Sequence, residues 1–500
     1  MSVVATHQTS EEKLLVVGRD RQLELGQFFT PDFVADFLAG LFVSRWQHWN
    51  VLDAGAGQGA LSAALVRQLC NLETKPQSIS ITVCEIDTCL IETLRQTLTD
   101  CEQECERVGI RFSATIHNVD FVEFATPLVR SDLFASHRTE FNAAIVNPPY
   151  RKIKSDSTTR LLLRSAGIET GNLYTGFISL ITKLLVDQGE LVAITPRSFC
   201  NGPYFKPFRT DFLEAMSLRR LHLFESRSAA FRSDEVLQEN LVFQAVKSLV
   251  KSKHVAISSS SGFSGGVVSE RVVSYQDVVA PADAEKFIHL TEDETQVGAR
   301  ALMSGLESSL AELGLTVSTG RVVDFRAKDF LRPQPGIDTV PLIYPCHFNG
   351  GFVHWPKEPS RKPNAIVSNE QTRELLLPGG IYVLVKRFTS KEERRRVVAC
   401  ICDCTRLEAS LVGFENHLNY FHVDGRGLTM TLAKGLAAFL NSSVVDIYFR
   451  QFNGHTQVNA TDLRSLNYPT KAELEKLGRR ISTPLLPQTE LDALVEEELF

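Results

Sequence analysis

The chain has 500 residues, too many for one ordinary domain, and its apolar content of 43% gives each domain enough side chains for a normal core. Its first residues are polar and no apolar run approaches a membrane span, which argues against a secreted or membrane class and predicts a cytoplasmic protein. The net charge of −6 argues against a general binder of polyanions.

The first half of the chain alternates strand and helix patterns. Strands are predicted at 50–55, 78–87, 111–120, 141–150, 189–198, 218–226 and 240–248. Helical patterns lie between them, at 61–70, 87–98 and 173–189. This alternation predicts an α/β fold with a mixed seven-stranded sheet flanked by helices, in which the last two strands form an antiparallel edge pair.

A glycine-rich turn follows the first predicted strand, in VLDAGAGQGAL. Asp53 precedes Gly55, Gly57 and Gly59, which are spaced GxGxG and not in the GxGxxG pattern of dinucleotide folds. Glycines allow the backbone to approach a ligand closely, and the following helix presents its N-terminus. The turn therefore predicts a ligand site, although many α/β proteins use glycines only to turn the chain.

Acidic residues also follow the second and third predicted strands, where Glu85 ends one and Asp120 with Phe121 ends the other. A carboxylate at the first position suits a ribose diol, and an acid beside a ring suits an adenine amino group and its face. Each acid could instead only cap a helix. Because the carboxyl ends of parallel strands meet at one edge, the acids together predict a nucleoside ligand without pyrophosphate, S-adenosylmethionine.

The fourth predicted strand ends in Asn147, Pro148, Pro149 and Tyr150. The Asn147 side-chain carbonyl and the Pro148 carbonyl are acceptors, and the prolines bring no competing N–H. Two acceptors suit a planar NH2 group, whose nitrogen then attacks a methyl sulfonium while Tyr150 stacks on the ring that bears it. The structural alternative is a simple Pro-Pro turn.

The second half of the chain differs in character. A Ser/Gly stretch and an acidic helical pattern predict a linker and helical connection at 258–314, after a catalytic domain at 1–257. Residues 315–500 are predicted to form an irregular α+β domain. Between Arg321 and Arg396, fourteen Lys and Arg stand against eight Asp and Glu, an excess that permits contact with nucleic acid.

The ten cysteines predict no metal site, because no CxxC pair occurs. Cys400, Cys402 and Cys404 alternate along a predicted strand and no His cluster follows them, so buried thiols are favoured over zinc.

In its order of motifs the chain resembles the gamma class of adenine-N6 DNA methyltransferases from type II restriction–modification systems, the TaqI and PstI type. The resemblance covers residues 26 to 250 and rests on GQFFTPDFVADFLAGLF, LDAGAGQGAL, CEID, NVDF, NPPY, GELVAITPRSFCNGPYFKPFR and ESRSAAFRSDEVLQENLVF, in that order. Motif order is the specific part, because other classes permute it. Asp53 stands where some members carry Glu.

The resemblance implies a role for each motif. It assigns Thr30 and Pro31 to the methionine part of S-adenosylmethionine, Asp53, Gly55, Gly57, Glu85, Asp120 and Phe121 to its binding, Asn147, Pro148, Pro149 and Tyr150 to catalysis, and Tyr150 and Phe231 to stacking on a flipped-out adenine. It also implies that residues 315–500 form a target-recognition domain for double-stranded DNA, with candidate contacts in 318–330, 415–421 and 450–466.

The implied protein is a bacterial or archaeal cytoplasmic enzyme that protects host DNA from a cognate restriction endonuclease. It is expected to act as a monomer, without stable contact to that endonuclease. An adenine-N6 RNA methyltransferase stays open as an alternative. So does a protein glutamine-N5 methyltransferase, although those enzymes are shorter and their extra domain precedes the fold. A non-enzymatic DNA-binding subunit would not need both an intact NPPY and an intact cofactor site.

Overall fold

The computed structural model describes residues 30–130, 140–224, 240–260, 269–281, 283–290, 294–389, 393–452, 457–482 and 486–500. The chain forms two compact units, Met1–Glu292 and Asp293–Phe500. This division falls inside the segment 258–314 that the sequence predicts as a connection. Among the described residues, no helix is both long and apolar enough to cross a membrane.

The first unit is built on one mixed sheet. Its strands are β1 His48–Ala54, β2 Ser78–Cys84, β3 Arg111–His117, β4 Phe141–Val146, β5 Leu185–Pro196, β6 Met216–Phe224, β7 Asn240–Lys247, β8 His254–Ser260 and β9 Ser269–Ser274. Its described helices are α1 Asp32–Gly40, α2 Ala60–Cys70, α3 Ile91–Arg107, α4 Phe121–Arg130, α5 Thr158–Ser165, α6 Leu173–Leu184, α7 Lys206–Ala215 and α8 Tyr275–Val278.

The strand order is β3-β2-β1-β4-β5-β7-β6-β8-β9. Strands β1 to β5 are parallel neighbours, whereas β7 runs antiparallel to both β5 and β6. Helices α1, α2 and α3 contribute buried side chains to one apolar cluster and α4, α6 and α7 to another, so two separate cores share the sheet. The predicted α/β class is confirmed.

The structure differs from the prediction in two places. The pattern at 173–189 is not one helix, because α6 ends at Leu184 and β5 begins at Leu185. Two strands, β8 and β9, extend the sheet beyond the seven predicted, so the sheet runs past residue 257 into the predicted linker, and β6 and β7 form the predicted antiparallel pair but not at the edge. The Ser-rich end of β8 lacks apolar alternation, but Ser258 and Ser260 hydrogen-bond to the ring nitrogens of buried His222, at 2.9 and 3.1 Å.

The second unit contains two smaller sheets and a helical layer. Its strands are β10 Thr316–Thr319, β11 Leu331–Arg332, β12 Thr339–Ile343, β13 Phe348–Asn349, β14 Phe352–Val353, β15 Ala365–Val367, β16 Leu376–Pro378, β17 Ile381–Lys386, β18 Ala399–Asp403, β19 Leu411–Phe414 and β20 Leu418–His422. Its described helices are α9 Glu294–Ser304, α10 Met430–Leu440, α11 Ser443–Phe452, α12 Ala460–Arg464, α13 Lys471–Arg480 and α14 Gln488–Leu499.

The larger sheet of this unit has the order β10-β20-β17-β18-β14-β13 and the smaller one β11-β15-β12-β19-β16. Short strands joined by many turns match the irregular α+β character that the sequence predicts. Cys400, Cys402 and Cys404 lie buried in and just after β18. Within the described ranges, no group of three or more His, Cys, Asp or Glu side chains is arranged to hold a metal ion.

Candidate active site at the carboxyl edge of the first sheet

The predicted site residues converge on one edge of the first sheet. Asp53 is the second-last residue of β1, while Glu85 and Asn147 directly follow β2 and β4. Asp120 directly precedes α4, in the connection that leaves β3. Since β3, β2, β1 and β4 are parallel neighbours in that order, their carboxyl ends bring these side chains to the same edge.

The glycine-rich turn adopts a backbone that other residues rarely take. Gly55, Gly57 and Gly59 have φ of +78°, +57° and +84°, and Gly59 is the residue before α2. The Gly55 N–H donates to the Cys84 carbonyl at 2.9 Å, which ties the turn to the end of β2. A Cβ added at Gly55 would lie 3.7 Å from the Phe177 ring, so a larger side chain would meet that ring.

Glu85 holds this turn in place. One carboxylate oxygen accepts from the Gly57 N–H and the other from the Asp87 N–H, both at 2.7 Å. The side chain is buried, and burial raises the pKa of Glu85 against the opposing effect of these hydrogen bonds.

Asp53 is fully buried, and only one of its two carboxylate oxygens has a hydrogen-bond partner among the described residues. Its Oδ2 accepts from the Ser62 hydroxyl at 2.7 Å, whereas its Oδ1 has no hydrogen-bond partner among the described residues. Burial raises the pKa of Asp53 to about 7; the Ser62 hydrogen bond opposes the shift and the charge of Glu85 adds to it. A buried oxygen without a partner is costly, and a ligand that donates to it would remove that cost.

Asp120 and Phe121 have close partners within the protein. Asp120 Oδ1 accepts from the Val122 N–H at 2.7 Å, so this acid caps α4, as the alternative interpretation holds. The Phe121 ring is 2% exposed and its centroid lies 4.9 Å from that of Phe177. Phe177 therefore lies between the glycine turn and Phe121.

The NPPY segment follows β4 directly. The Tyr150 hydroxyl donates to Asn147 Oδ1 at 2.9 Å and also lies 3.2 Å from the carbonyl oxygen of Ile194 in β5. Burial raises the pKa of Tyr150 well above its ordinary value, so its hydroxyl stays protonated and acts as a donor. Pro148 is buried and Pro149 half-buried, which gives the segment a stiff backbone.

The Thr-Pro pair before α1 also reaches this segment. The Asn147 Nδ2 donates to the Thr30 hydroxyl oxygen at 3.1 Å, although the two residues are 117 positions apart. Pro31 is the residue before α1, and its carbonyl accepts from the Val34 and Ala35 N–H groups at 2.9 and 3.0 Å. The structure thus brings the Thr-Pro pair and the NPPY segment into direct contact.

The structure adds site residues that sequence reasoning did not identify. Phe177 beside Gly55, Ser62 on Asp53 and the Ile194 carbonyl near Tyr150 all support predicted residues. Ile194 belongs to the GELVAITPRSFCNGPYFKPFR stretch, but Ser62 and Phe177 stand in no recognisable motif, and only the folded sheet brings them to the site. Phe231, the predicted second stacking ring, lies outside the described residues.

Comparisons with known proteins find relatives among restriction–modification enzymes. A family model described as Eco57I restriction-modification methylase matches residues 73–231. The chain is 41% identical over 476 residues to the type II methyltransferase M.PstI of Providencia stuartii, a match that covers 95% of this chain and 93% of the relative.

It is also 45% identical over 484 residues to the type II methyltransferase M.BsuBI of Bacillus subtilis, covering 95% of this chain and 94% of the relative. Among solved structures, the type IIL restriction-modification enzyme MmeI in complex with DNA has a similar fold. Its TM-score is 0.51 at 11% identity, and the match covers 98% of this chain and 76% of that one.

Proposed function

Because the chain belongs to the type II methyltransferases of restriction–modification systems, we propose that it transfers a methyl group to N6 of an adenine in duplex DNA. Membership confirms the family that the motif order predicts, and with it S-adenosylmethionine as the cofactor. One observation carries the choice of adenine N6. The Tyr150 hydroxyl donates to the Asn147 amide oxygen beside the acidic edge, which places an acceptor and an aromatic ring together, an arrangement suited to a planar amine on a flat ring.

The residues at this edge fit the cofactor. S-adenosylmethionine supplies a methyl group on a sulfonium sulfur. The glycine turn leaves room for a ligand close to the backbone, and the Asp53 oxygen without a partner can accept from a ligand donor. We assign Asp53, Gly55, Gly57 and Glu85 to the nucleoside, with Phe177 as a ring beside it.

The catalytic residues act on the target amine. Asn147 Oδ1 and the Pro148 carbonyl oxygen each accept a hydrogen bond from one of its two N–H groups, which turns the nitrogen lone pair outward for attack. An amide oxygen accepts two hydrogen bonds, so Asn147 Oδ1 can keep its hydrogen bond from the Tyr150 hydroxyl while it accepts a second one from the target amine. Alternatively, Tyr150 can donate to Ile194 and release that oxygen entirely. No strong base is needed, because the methylated nitrogen becomes acidic and loses its proton.

A direct test compares methyl acceptors. The protein is incubated with labelled S-adenosylmethionine and either mixed duplex DNA, RNA or a release factor, and the modified group is mapped. We expect N6-methyladenine at one short DNA sequence. Label found only on RNA or protein would contradict the proposal and favour the corresponding rival. We also propose that the enzyme acts as a monomer, without stable contact to an endonuclease.

Cofactor binding is expected to depend on pH through Asp53. Burial raises the pKa of Asp53 to about 7, so near neutral pH its proton competes with a cationic, hydrogen-donating ligand. Affinity for S-adenosylmethionine should therefore rise with pH and level off above about 7, by roughly tenfold per pH unit below that value if one proton is released. Calorimetric titration between pH 5.5 and 8.5 measures this slope.

Asp53→Asn is the matched control, because it keeps the shape and removes the titrating proton. This variant should bind more weakly and with little dependence on pH. A slope that persists in Asp53→Asn would assign the titration to Glu85, whose pKa is also raised. For stability the sign is opposite: the folded protein holds this proton more tightly than the unfolded chain, so the ligand-free protein loses stability as pH rises from about 4 to about 7.

We propose that the second unit recognises the DNA target, and that one end of its larger sheet carries the contact surface. Strand β10 ends and β20 begins at this end, where Thr319 pairs with Asn419. Backbone hydrogen bonds then join four distant segments in a row. They run from the Asn416 N–H to Val322 O at 2.8 Å, from the Arg387 N–H to His417 O at 2.8 Å and from the Val458 N–H to Arg387 O at 2.7 Å.

The side chains at this end suit a nucleic acid. We define the basic end as Arg321, Phe325, Arg326, Arg387, Phe388, Asn416 and His417. The Phe325 ring is 78% exposed with the Arg326 guanidinium 5.5 Å away, and Phe388 is 41% exposed. Cations meet phosphates, and exposed rings and amide or imidazole edges meet bases. The carboxylates here have partners within the protein: Asp324 binds Lys362, and buried Glu415 binds His417 of the basic end itself.

Arg326→Ala is expected to weaken DNA binding and to lower its salt dependence. Loss of one phosphate contact should reduce the slope of log affinity against log salt by about 1. Binding titrations from 50 to 300 mM salt give this slope. Arg406 provides the control, because it is also exposed, lies 5.0 Å from a Phe352 ring and follows β18 at the opposite end of the same sheet. An equal change in Arg406→Ala would contradict the assignment of the basic end.

A further inference from the structure

The amide of Asn147 has a hydrogen-bond partner at each end. Its Nδ2 donates to the Thr30 hydroxyl at 3.1 Å, and its Oδ1 accepts from the Tyr150 hydroxyl at 2.9 Å. The two ends of an amide have similar shape but opposite chemistry, since one donates and the other accepts. Rotation by half a turn would present a donor to the target amine and prevent catalysis.

Thr30 is well placed to prevent that rotation. It directly precedes Pro31, whose carbonyl begins the hydrogen bonding of α1. That helix is anchored through buried Val34, Ala35 and Leu38, which pack in the core shared with β1 and α2. A β-branched side chain has few rotamers, so the hydroxyl oxygen is held where it accepts from Nδ2. Donation from Nδ2 also polarises the amide and makes Oδ1 a better acceptor.

We propose that Thr30 is a positioning residue whose hydroxyl orients the Asn147 amide for catalysis. The inference rests on the proposed function of Asn147. It differs from the role implied by the family resemblance, in which the Thr-Pro pair serves the methionine part of S-adenosylmethionine. The two roles predict different kinetic effects, because one acts on the transferring step and the other on cofactor binding.

The test compares three variants of the full-length protein. Thr30→Val keeps the shape and removes the hydroxyl, whereas Thr30→Ser keeps the hydroxyl. Thr126→Val is the matched control, because Thr126 is buried in α4 and its hydroxyl has no hydrogen-bond partner among the described residues. We expect Thr30→Val to lower kcat roughly 10- to 100-fold with an unchanged Kd for S-adenosylmethionine. Thr30→Ser should stay within about threefold of the parent, and Thr126→Val should match it.

A second measurement does not depend on activity. In protein labelled with 15N only at asparagine, the side-chain amide signal of Asn147 is identified by its absence from Asn147→Asp. That signal should shift in Thr30→Val, and stay in place in Thr126→Val. An unmoved signal, an unchanged kcat, or a loss confined to cofactor affinity would each overturn the inference. Failure of the proposed function is distinct: the parent protein would then leave adenine in DNA unmodified, while the amide signal still reports on Thr30.

Discussion

Asn147→Ala is expected to abolish methyl transfer to DNA while S-adenosylmethionine still binds. The substitution removes the side-chain oxygen that accepts a hydrogen bond from the target amine, and it frees the Tyr150 hydroxyl that donates to that oxygen. Loss of one such preorganised contact at a reacting group lowers kcat by roughly 10²- to 10³-fold, and the missing stacking alignment of Tyr150 should add to this. Transfer of labelled methyl groups measures kcat, and calorimetry measures cofactor affinity.

Asn142 offers a control on the same strand. At the opposite end of β4, its Oδ1 accepts from the Asn50 N–H at 2.8 Å and its Nδ2 donates to the His48 carbonyl at 2.7 Å. Asn142→Ala should cost about 1–2 kcal/mol of stability through these lost bonds and leave kcat near the parent value. Normal kcat in Asn147→Ala would show that another group handles the amine. Loss of cofactor binding in the same variant would show that the effect is not on catalysis alone.

Much of the first unit is predictable because each element carries its own local signal. The seven predicted strands have apolar or alternating patterns that end in turn residues, and each forms within a few positions of its prediction. The pattern at 173–189 misleads because α6 and β5 are both apolar and join directly at Leu184 and Leu185. No turn residue marks the change from the periodicity of a helix to that of a strand.

Strand β8 shows a second reason why sequence patterns fail to predict an element. Its end is polar in sequence, and its serines become favourable in a strand only because His222 lies opposite them in β6. That partnership joins residues 36 and 38 positions apart, and no local pattern announces it. Sequence patterns alone therefore predict a linker for this Ser-rich stretch, and only the partner strand shows that it forms part of the sheet.

The candidate site also has residues that the sequence predicts and residues that only the fold reveals. The convergence of Asp53, Glu85 and Asn147 is predictable because each stands at the end of a predicted strand, and the ends of parallel strands meet at one edge of the sheet. Their supports are not, because Ser62 and Phe177 are ordinary residues that become relevant only through contact. The interplay of Thr30 with Asn147 is likewise invisible in sequence, where each belongs to a separate motif. Motif order predicts which groups assemble, and the fold decides what each one touches.

Gly435→Ala is expected to disrupt the helical layer of the second unit. Helices α10 and α13 cross at Gly435 and Gly478, and a Cβ added to Gly435 would overlap the carbonyl oxygen of Leu474. A Cβ at Gly478 would likewise overlap the Thr431 carbonyl oxygen. Backbone atoms cannot turn aside as a side chain can, so the helices must separate, at a cost of about 3 kcal/mol or more. Hydrogen exchange in the peptides of α10 and α13 measures this loss locally. A single melting temperature would not, because the chain has two units that can unfold separately.

Gly298→Ala is the matched comparison, because Gly298 lies in helix α9 of the same unit and a Cβ there meets nothing within 4 Å. That substitution should stabilise its helix by about 0.5–1 kcal/mol, since alanine restricts the unfolded chain more than glycine does. The first unit supplies every assigned cofactor residue, so Gly435→Ala should keep its affinity for S-adenosylmethionine while its affinity for DNA falls. Equal protection of α10 in Gly435→Ala and the parent would show that the helices can absorb a methyl group, and the close crossing would then not be what holds this layer together.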